Sequence, residues 1–238
     1  MTVAAPSSWM EQASKRSPIF QNKNIVRVST GIDENIFCPI DKQKARELFK
    51  IDQQKKIILF GANNPFRTSY KGGNIIKKLI ENLDPNEYLF LVFGSDRDTS
   101  TSELPRNVKF LGELKKEKDL AIAYNAADVF ISPSSEDNLP NTVLEAMSCG
   151  TPCVAFKNSG GVGDAIDHRI NGYMAEFNNA DDMLMGIQWL IEANNEKAIS
   201  IKARQKILQQ FTLDIQVESY IKLYQSILDK SIKLESKA

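Results

Sequence analysis

The chain has 238 residues, 42% of them apolar and 25% charged, with 30 Lys+Arg balancing 30 Asp+Glu. That balance excludes a disordered tail, a fibrous repeat and a basic nucleic-acid binder. No apolar run approaches the ~20 residues of a membrane span, and Met1–Pro6 lacks the charged start and long apolar core of a leader. The three cysteines, Cys38, Cys149 and Cys153, read as reduced thiols of a cytoplasmic protein, and with a single histidine, His168, there is almost no material for a zinc site or a Ser-His-Asp triad.

In chain order, residues 1–30 hold a short apolar start (Val3–Ala5), a polar helix from about Ser8 to Lys15, and a strand over Ile25–Ser29. One such βαβ unit cannot bury its own faces and must lean on something else. Next come a strand over Ile57–Phe60, a helix over Gly73–Leu83 and strands over Tyr88–Phe93 and Val108–Leu111. Lys116–Ala127 reads as a helix, Val129–Ser132 as a strand, Thr142–Ser148 as a helix and Cys153–Phe156 as a strand. Continuous apolar strands alternating with helices predict an α/β fold, a doubly wound parallel sheet covered on both faces, with ligands at the strand ends. Residues 180–235 read as helical. Met183, Leu184, Ile187 and Leu190 form one stripe; Val217, Tyr220, Ile221, Tyr224 and Ile227 form a second. Core packing is the simple reading of both stripes, yet the last helix and the 1–30 unit are also where an exposed apolar face is expected.

Three loops carry candidate chemistry. Ser132–Gly150 (SPSSEDNLPNTVLEAMSCG) leaves a strand and opens a helix that Asn141 or Thr142 can cap, with Glu145 in its first turn. Such a helix start binds phosphate through unpaired N–H groups. Asp137 and Glu145 can face one cleft there and accept hydrogen bonds from sugar or ribose hydroxyls. The alternative is a loop solvator and a dipole-complementing glutamate. Gly61–Gly73 (GANNPFRTSYKGG) brings Arg67 and Lys71 within reach of a phosphate, or is an ordinary solvated basic loop; it matches neither a P-loop nor G-x-G-x-x-G. Ser159–Asp164 (SGGVGD) either lets backbone approach a ligand or is a plain turn. His168 reads as an exposed surface residue.

SPSSEDNLPNTVLEAMSCGTPCVAF, followed by SGG and NGYMA, resembles the donor-binding half of the retaining nucleotide-sugar glycosyltransferases of family 4, the glycosyl transferases group 1. APSSWMEQASKRSPIF and STGIDENIFCP are similar to the end of that family's acceptor-side domain and its linker. FGANNPFRTSYKGG is similar to its phosphate loop, and VKFLGELKKEKDLAIAYNAADVFISPS to its middle. The resemblance implies a Rossmann-like domain, the C-terminal half of a glycosyltransferase B fold: residues 1–40 a remnant of the acceptor-side domain and linker, 41–212 the nucleotide-sugar domain, and 213–238 a helix packing back toward the N-terminal segment.

The family signature is two glutamates with seven residues between them. Glu145 matches the second, implying a ribose contact. The first falls on Asp137, one methylene shorter, implying a contact to the transferred sugar that the adjacent Glu136 can also reach. The basic pair on the diphosphate maps onto Arg67 and Lys71, although relatives often place the arginine directly after the strand glycine Gly61, where this chain has Ala62. Gly112 and Leu114 resemble the segment beside the base. Asn141, Thr142 and Val143 resemble the helix start facing the phosphates. Arg67, Lys71 and Asp137 are thus the implied catalytic groups. The implied reaction transfers a sugar from a nucleotide diphosphate sugar to a glycan or lipid-linked acceptor with retention, without metal or other cofactor. A full-length enzyme of this kind allows peripheral contact at the inner face of the membrane. Most of an acceptor-binding half is missing from the sequence, so a piece of a longer enzyme is expected, inactive alone; the alternative is a non-catalytic nucleotide-sugar-binding module. An epimerase-like protein would show G-x-G-x-x-G and Tyr-x-x-x-Lys, and neither is present.

Overall fold

A computed structural model describes residues 1–61, 71–94, 106–193 and 197–235, with side chains through 229. Among these, strands β3 (Lys56–Gly61), β4 (Tyr88–Phe93), β5 (Val108–Gly112), β6 (Val129–Ser132), β7 (Cys153–Phe156) and β8 (Gly172–Ala175) form one sheet in the order β5-β4-β3-β6-β7-β8. Every pairing is parallel. That order is the doubly wound Rossmann one, and it reverses direction between β3 and β6. β8 is the strand the sequence reading did not assign. Its segment, GYMA, is short and carries no apolar run of its own.

The continuous apolar strands bury both sides by simple alternation. Ile57 and Leu59 of β3, with Phe130 of β6, face a core shared with α2 (Lys42–Leu48), α4 (Glu117–Ala126), α5 (Asn141–Ser148) and α7 (Ala198–Gln210). Ile58 and Phe60, with Val129 and Ile131, face the opposite core under α3 (Gly73–Asn82) and α6 (Ala180–Ala193). The first predicted stripe packs as expected: Met183, Ile187 and Leu190 are fully buried and Leu184 lies against them.

The second stripe does not. α8 (Leu213–Glu235) leaves Val217 54%, Ile221 49% and Tyr224 57% exposed, in line with Leu213 and Leu228. Among its described side chains only Leu223 is buried. The stripe has helical periodicity, but no described element lies over it; periodicity sets the face and cannot supply the partner.

The N-terminal unit, β1 (Thr2–Ala5), α1 (Ser8–Arg16) and β2 (Asn24–Arg27), forms its own two-stranded parallel sheet. It reaches the main domain through the start of α1. Ser7 Oγ donates to Asn138 Oδ1 at 3.0 Å, and the Ser8 N–H and hydroxyl both donate to the Asp164 carboxylate, the N–H at 2.7 Å. The chain then crosses beside the start of α8, where Ile32 N–H bonds Phe211 O at 2.8 Å and Leu213 N–H bonds Ile32 O at 3.2 Å. Arg204 staples this linker down, donating to the carbonyls of Glu34, Phe37 and Ser148.

Candidate functional site

The strand order places a crevice at the carboxyl ends of β3 and β6, where the two halves of the sheet diverge. A cleft of about 480 Å³ opens there. Phe60 and Gly61 form one wall, Ser132, Pro133 and Ser134 the other, and Lys71, Asp137, Asn141 and Thr142 the rim. Lys71 reaches it because the chain turns at Gly72, whose φ of +77° suits glycine and whose missing Cβ would strike the Pro133 carbonyl. The Lys71 ammonium meets the Asp137 carboxylate across the cleft, Nζ–Oδ2 3.3 Å.

Asp137 sits in a loop held by backbone. Its N–H donates to Ser159 O at 2.8 Å, and the Gly161 N–H donates to its carbonyl at 3.1 Å. Gly160 between them has φ +116°, and a Cβ there would land on the Asp137 carbonyl. The glycines of Ser159–Asp164 are therefore a brace for the acidic loop, a role their turn chemistry alone did not announce. Ser7 packs against Gly161 and bonds Asn138, so the N-terminal unit supports the same loop.

The start of α5 differs from the sequence expectation. The cap position is Pro140, and no side chain caps the helix; Asn141 and Thr142 are its first two residues, one and two positions past the cap. The Val143 N–H bonds back to Pro140 O at 3.0 Å and its side chain is fully buried, so Val143 offers no free donor. The first N–H groups, those of Asn141 and Thr142, remain for a ligand at the cleft.

Glu145 is the fifth residue of α5, and the first turn holds no acid, which removes the dipole-complement reading. The carboxylate lies outside the lining of the cleft and is half-buried. It accepts a hydrogen bond from the Tyr124 hydroxyl, 2.7 Å to Oε2. Burial pushes the Glu145 carboxyl above the ordinary glutamate range and nearby Glu117 adds to it, while the Tyr124 bond opposes them. Burial beside that carboxylate likewise pushes the Tyr124 phenol well up. Tyr124 sits within the predicted helix, but only its pairing with Glu145 marks it as part of the site.

The cleft thus gathers Gly61, Lys71, Asp137, Asn141 and Thr142. Glu136 is exposed beside it. Gly112 ends β5 with φ +72°, and Leu114 packs partly buried against the α4–α5 core; neither lines the cleft. Arg67 lies outside the described residues. His168 is exposed, its Nδ1 accepting from the Met174 N–H at 3.0 Å and its ring set against Tyr173. All three thiols are free, and burial pushes those of Cys149 and Cys153 up, which keeps them protonated and unreactive. No described helix is long and apolar enough to cross a membrane.

Residues 41–207 match the model of a family described as glycosyl transferases group 1. An uncharacterised glycosyltransferase of Haemophilus influenzae is 26% identical over 234 residues, covering 96% of this chain and 60% of that protein. A glycosyltransferase structure from Rickettsia africae superimposes with a TM-score of 0.83 at 21% identity, over 95% of this chain and 63% of that one. The Anabaena protein HepE, solved in complex with UDP-glucose, gives 0.77 at 20% identity, over 94% of this chain and 64% of that one. The chain therefore spans about three-fifths of the length of such relatives.

Proposed function

The chain belongs to the glycosyl transferases group 1 family, and on that premise we propose that it binds a nucleotide diphosphate sugar and presents it for transfer, with retention, to a glycan or lipid-linked acceptor. The observation that carries this reading is the cleft at the switch point. An ammonium (Lys71), an uncapped helix start (Asn141, Thr142) and a carboxylate (Asp137) converge there within one space. The first two suit a diphosphate, which gains negative charge as it leaves; fixed donors aimed at that charge are the largest protein contribution in such a site. The third suits hydroxyls of the departing sugar. Arg67 supplies a second cation on this reading, and Glu145 the ribose contact. Neutralisation by these groups makes binding independent of a metal. The Anabaena complex with UDP-glucose makes a uracil base and a hexose the first donor to try.

Transfer also needs a second wall that positions the acceptor and excludes water. The acceptor-binding part of a longer enzyme provides it in this proposal, seated on the N-terminal unit and the exposed face of α8. A second reading is a nucleotide-sugar-binding module without turnover. Asp137 favours it, being shorter than the family's glutamate and already paired with Lys71.

A thermal-shift panel of UDP, GDP, ADP, CMP and dTDP and their sugar conjugates, with EDTA or magnesium, tests the proposal. Selective stabilisation by one diphosphate, equal in EDTA, is expected. Stabilisation by none would remove the donor-binding reading for this chain, and a strict magnesium requirement would remove its metal-free form. Turnover after supplying an acceptor domain separates the enzyme from the module.

A further inference from the structure

The carboxylate assigned to ribose is held by a post that the family reading does not include. Tyr124 of α4 is fully buried. Its ring meets Phe37, Phe93 and Phe130 edge-on, with centroids 6.2, 5.8 and 5.5 Å away. Its carbonyl accepts from the Thr151 hydroxyl at 2.7 Å and the Ala127 N–H at 3.1 Å. Ring and backbone are thus both fixed. In this apolar cluster a phenylalanine would fill the same space, so the buried hydroxyl has one described use, its 2.7 Å bond to Glu145 Oε2. No described residue bonds Oε1.

We propose that Tyr124 is a positioning residue: its hydroxyl fixes the rotamer of Glu145 so that the carboxylate is aimed at a ribose hydroxyl of the bound nucleotide, making the site select ribonucleotides over 2′-deoxyribonucleotides. The proposal rests on the ribose reading of Glu145 given above. The long glutamate side chain has three rotatable bonds, and one bond from a rigid donor removes most of that freedom before the ligand arrives. The same bond stabilises the ionised carboxylate, the form that accepts a hydroxyl proton without competing as a donor. The titratable groups facing Glu145 among the described residues are Tyr124 and Glu117 from α4 and Cys149 at the cap that ends its own helix; Cys153 of β7 acts on the Tyr124 phenol.

The test uses the full chain with Tyr124→Phe, Glu145→Gln and both together. Calorimetry gives the affinity ratio of UDP to 2′-deoxy-UDP, and carboxyl carbon NMR follows the titration of Glu145 without ligand, its signal assigned by loss in Glu145→Gln. Tyr124→Phe is expected to weaken UDP about three- to tenfold, the net scale of one ordinary hydrogen bond, since the lost bond acts on the ligand only through Glu145. It should change 2′-deoxy-UDP little, move the Glu145 titration to higher pH, and add nothing on top of Glu145→Gln. If Glu145→Gln collapses the ratio while Tyr124→Phe leaves both ratio and titration unmoved, the positioning role is overturned and the ribose reading stands. A ratio unchanged in Glu145→Gln overturns the ribose reading and this proposal with it. If no nucleoside diphosphate binds, the ribose reading and this proposal fall together, and the titration then reports only whether the Tyr124 bond to Glu145 exists.

Discussion

Lys71→Ala separates binding from folding in this site. The ammonium is proposed to hold the leaving diphosphate, and a hydrogen bond between charged groups contributes about 1.5–3 kcal/mol. At 1.36 kcal/mol per factor of ten, removing it weakens a nucleoside diphosphate by about 10- to 150-fold. It also pairs with Asp137 at 3.3 Å, with side chains 33% and 27% exposed. A pair that open to water is worth about 0–1 kcal/mol, so the melting temperature should fall by less than about 4 °C in a chain of this size. The same geometry gives Asp137→Asn a different signature. The pair must be given up when phosphate arrives, so losing Asp137 leaves the plain diphosphate bound as tightly or up to about fivefold tighter, by the same ~1 kcal/mol limit. The sugar conjugate, which loses its hydroxyl acceptor, binds more weakly. Calorimetry of UDP and UDP-glucose against both variants, beside thermal melts, measures all four numbers. Diphosphate affinity within twofold of wild type in Lys71→Ala would refute the phosphate role. Equal weakening of UDP and UDP-glucose in Asp137→Asn would refute the division of labour across the cleft.

Gly160→Ala forces a Cβ onto the Asp137 carbonyl at φ +116°. Strain of about 1–3 kcal/mol and two backbone bonds of about 1 kcal/mol each predict a loss near 3–5 kcal/mol in urea unfolding; wild-type stability would disprove the brace. Glu145→Gln should stabilise the protein while weakening nucleotide binding. The folded carboxyl titrates above its unfolded value because it is buried. Wild type therefore loses stability as pH rises from the ordinary glutamate range through the raised one, and the amide, which has no charge to bury, does not. Melts between pH 4 and 8 should show the gap widening with pH; a gap that narrows would contradict the sign. The α8 stripe predicts self-association and binding of a hydrophobic dye, both removed by Val217→Lys with Ile221→Glu and Tyr224→Glu at unchanged melting temperature. A strictly monomeric, dye-silent wild type would show that the face is not adhesive.

Much of the fold was legible because each central strand is a continuous apolar run stopped by a turn. Tyr88–Phe93, Val129–Ser132 and Cys153–Phe156 occupy the predicted residues. β8 was missed because four residues with a glycine and a tyrosine become a strand only when β7 is there to pair with. α2 was missed for a related reason: seven residues, mostly polar, are helical here with a cap from Asp41 and the buried Arg46 tied to Ala126 O and Asp128. The helix after the acidic loop was read correctly, but its cap was not, since Pro140 is a poor guess beside Asn141 and Thr142 until the backbone shows which residue is half out of the helix.

By itself the sequence determined the α/β alternation, the apolar faces, the three candidate loops and the family resemblance that they carry. All of these are written in spacings of a few residues, over which chain connectivity dictates geometry. Only the tertiary structure decided which groups meet. Lys71 reaches Asp137 across 66 residues and Tyr124 reaches Glu145 across 21, from different elements. Glycines 160 and 161 brace the acidic loop, and the stripe on α8 stays bare. Those meetings depend on the strand order and the helical crossovers between strands, which bring distant segments to one sheet edge and leave no mark in local periodicity.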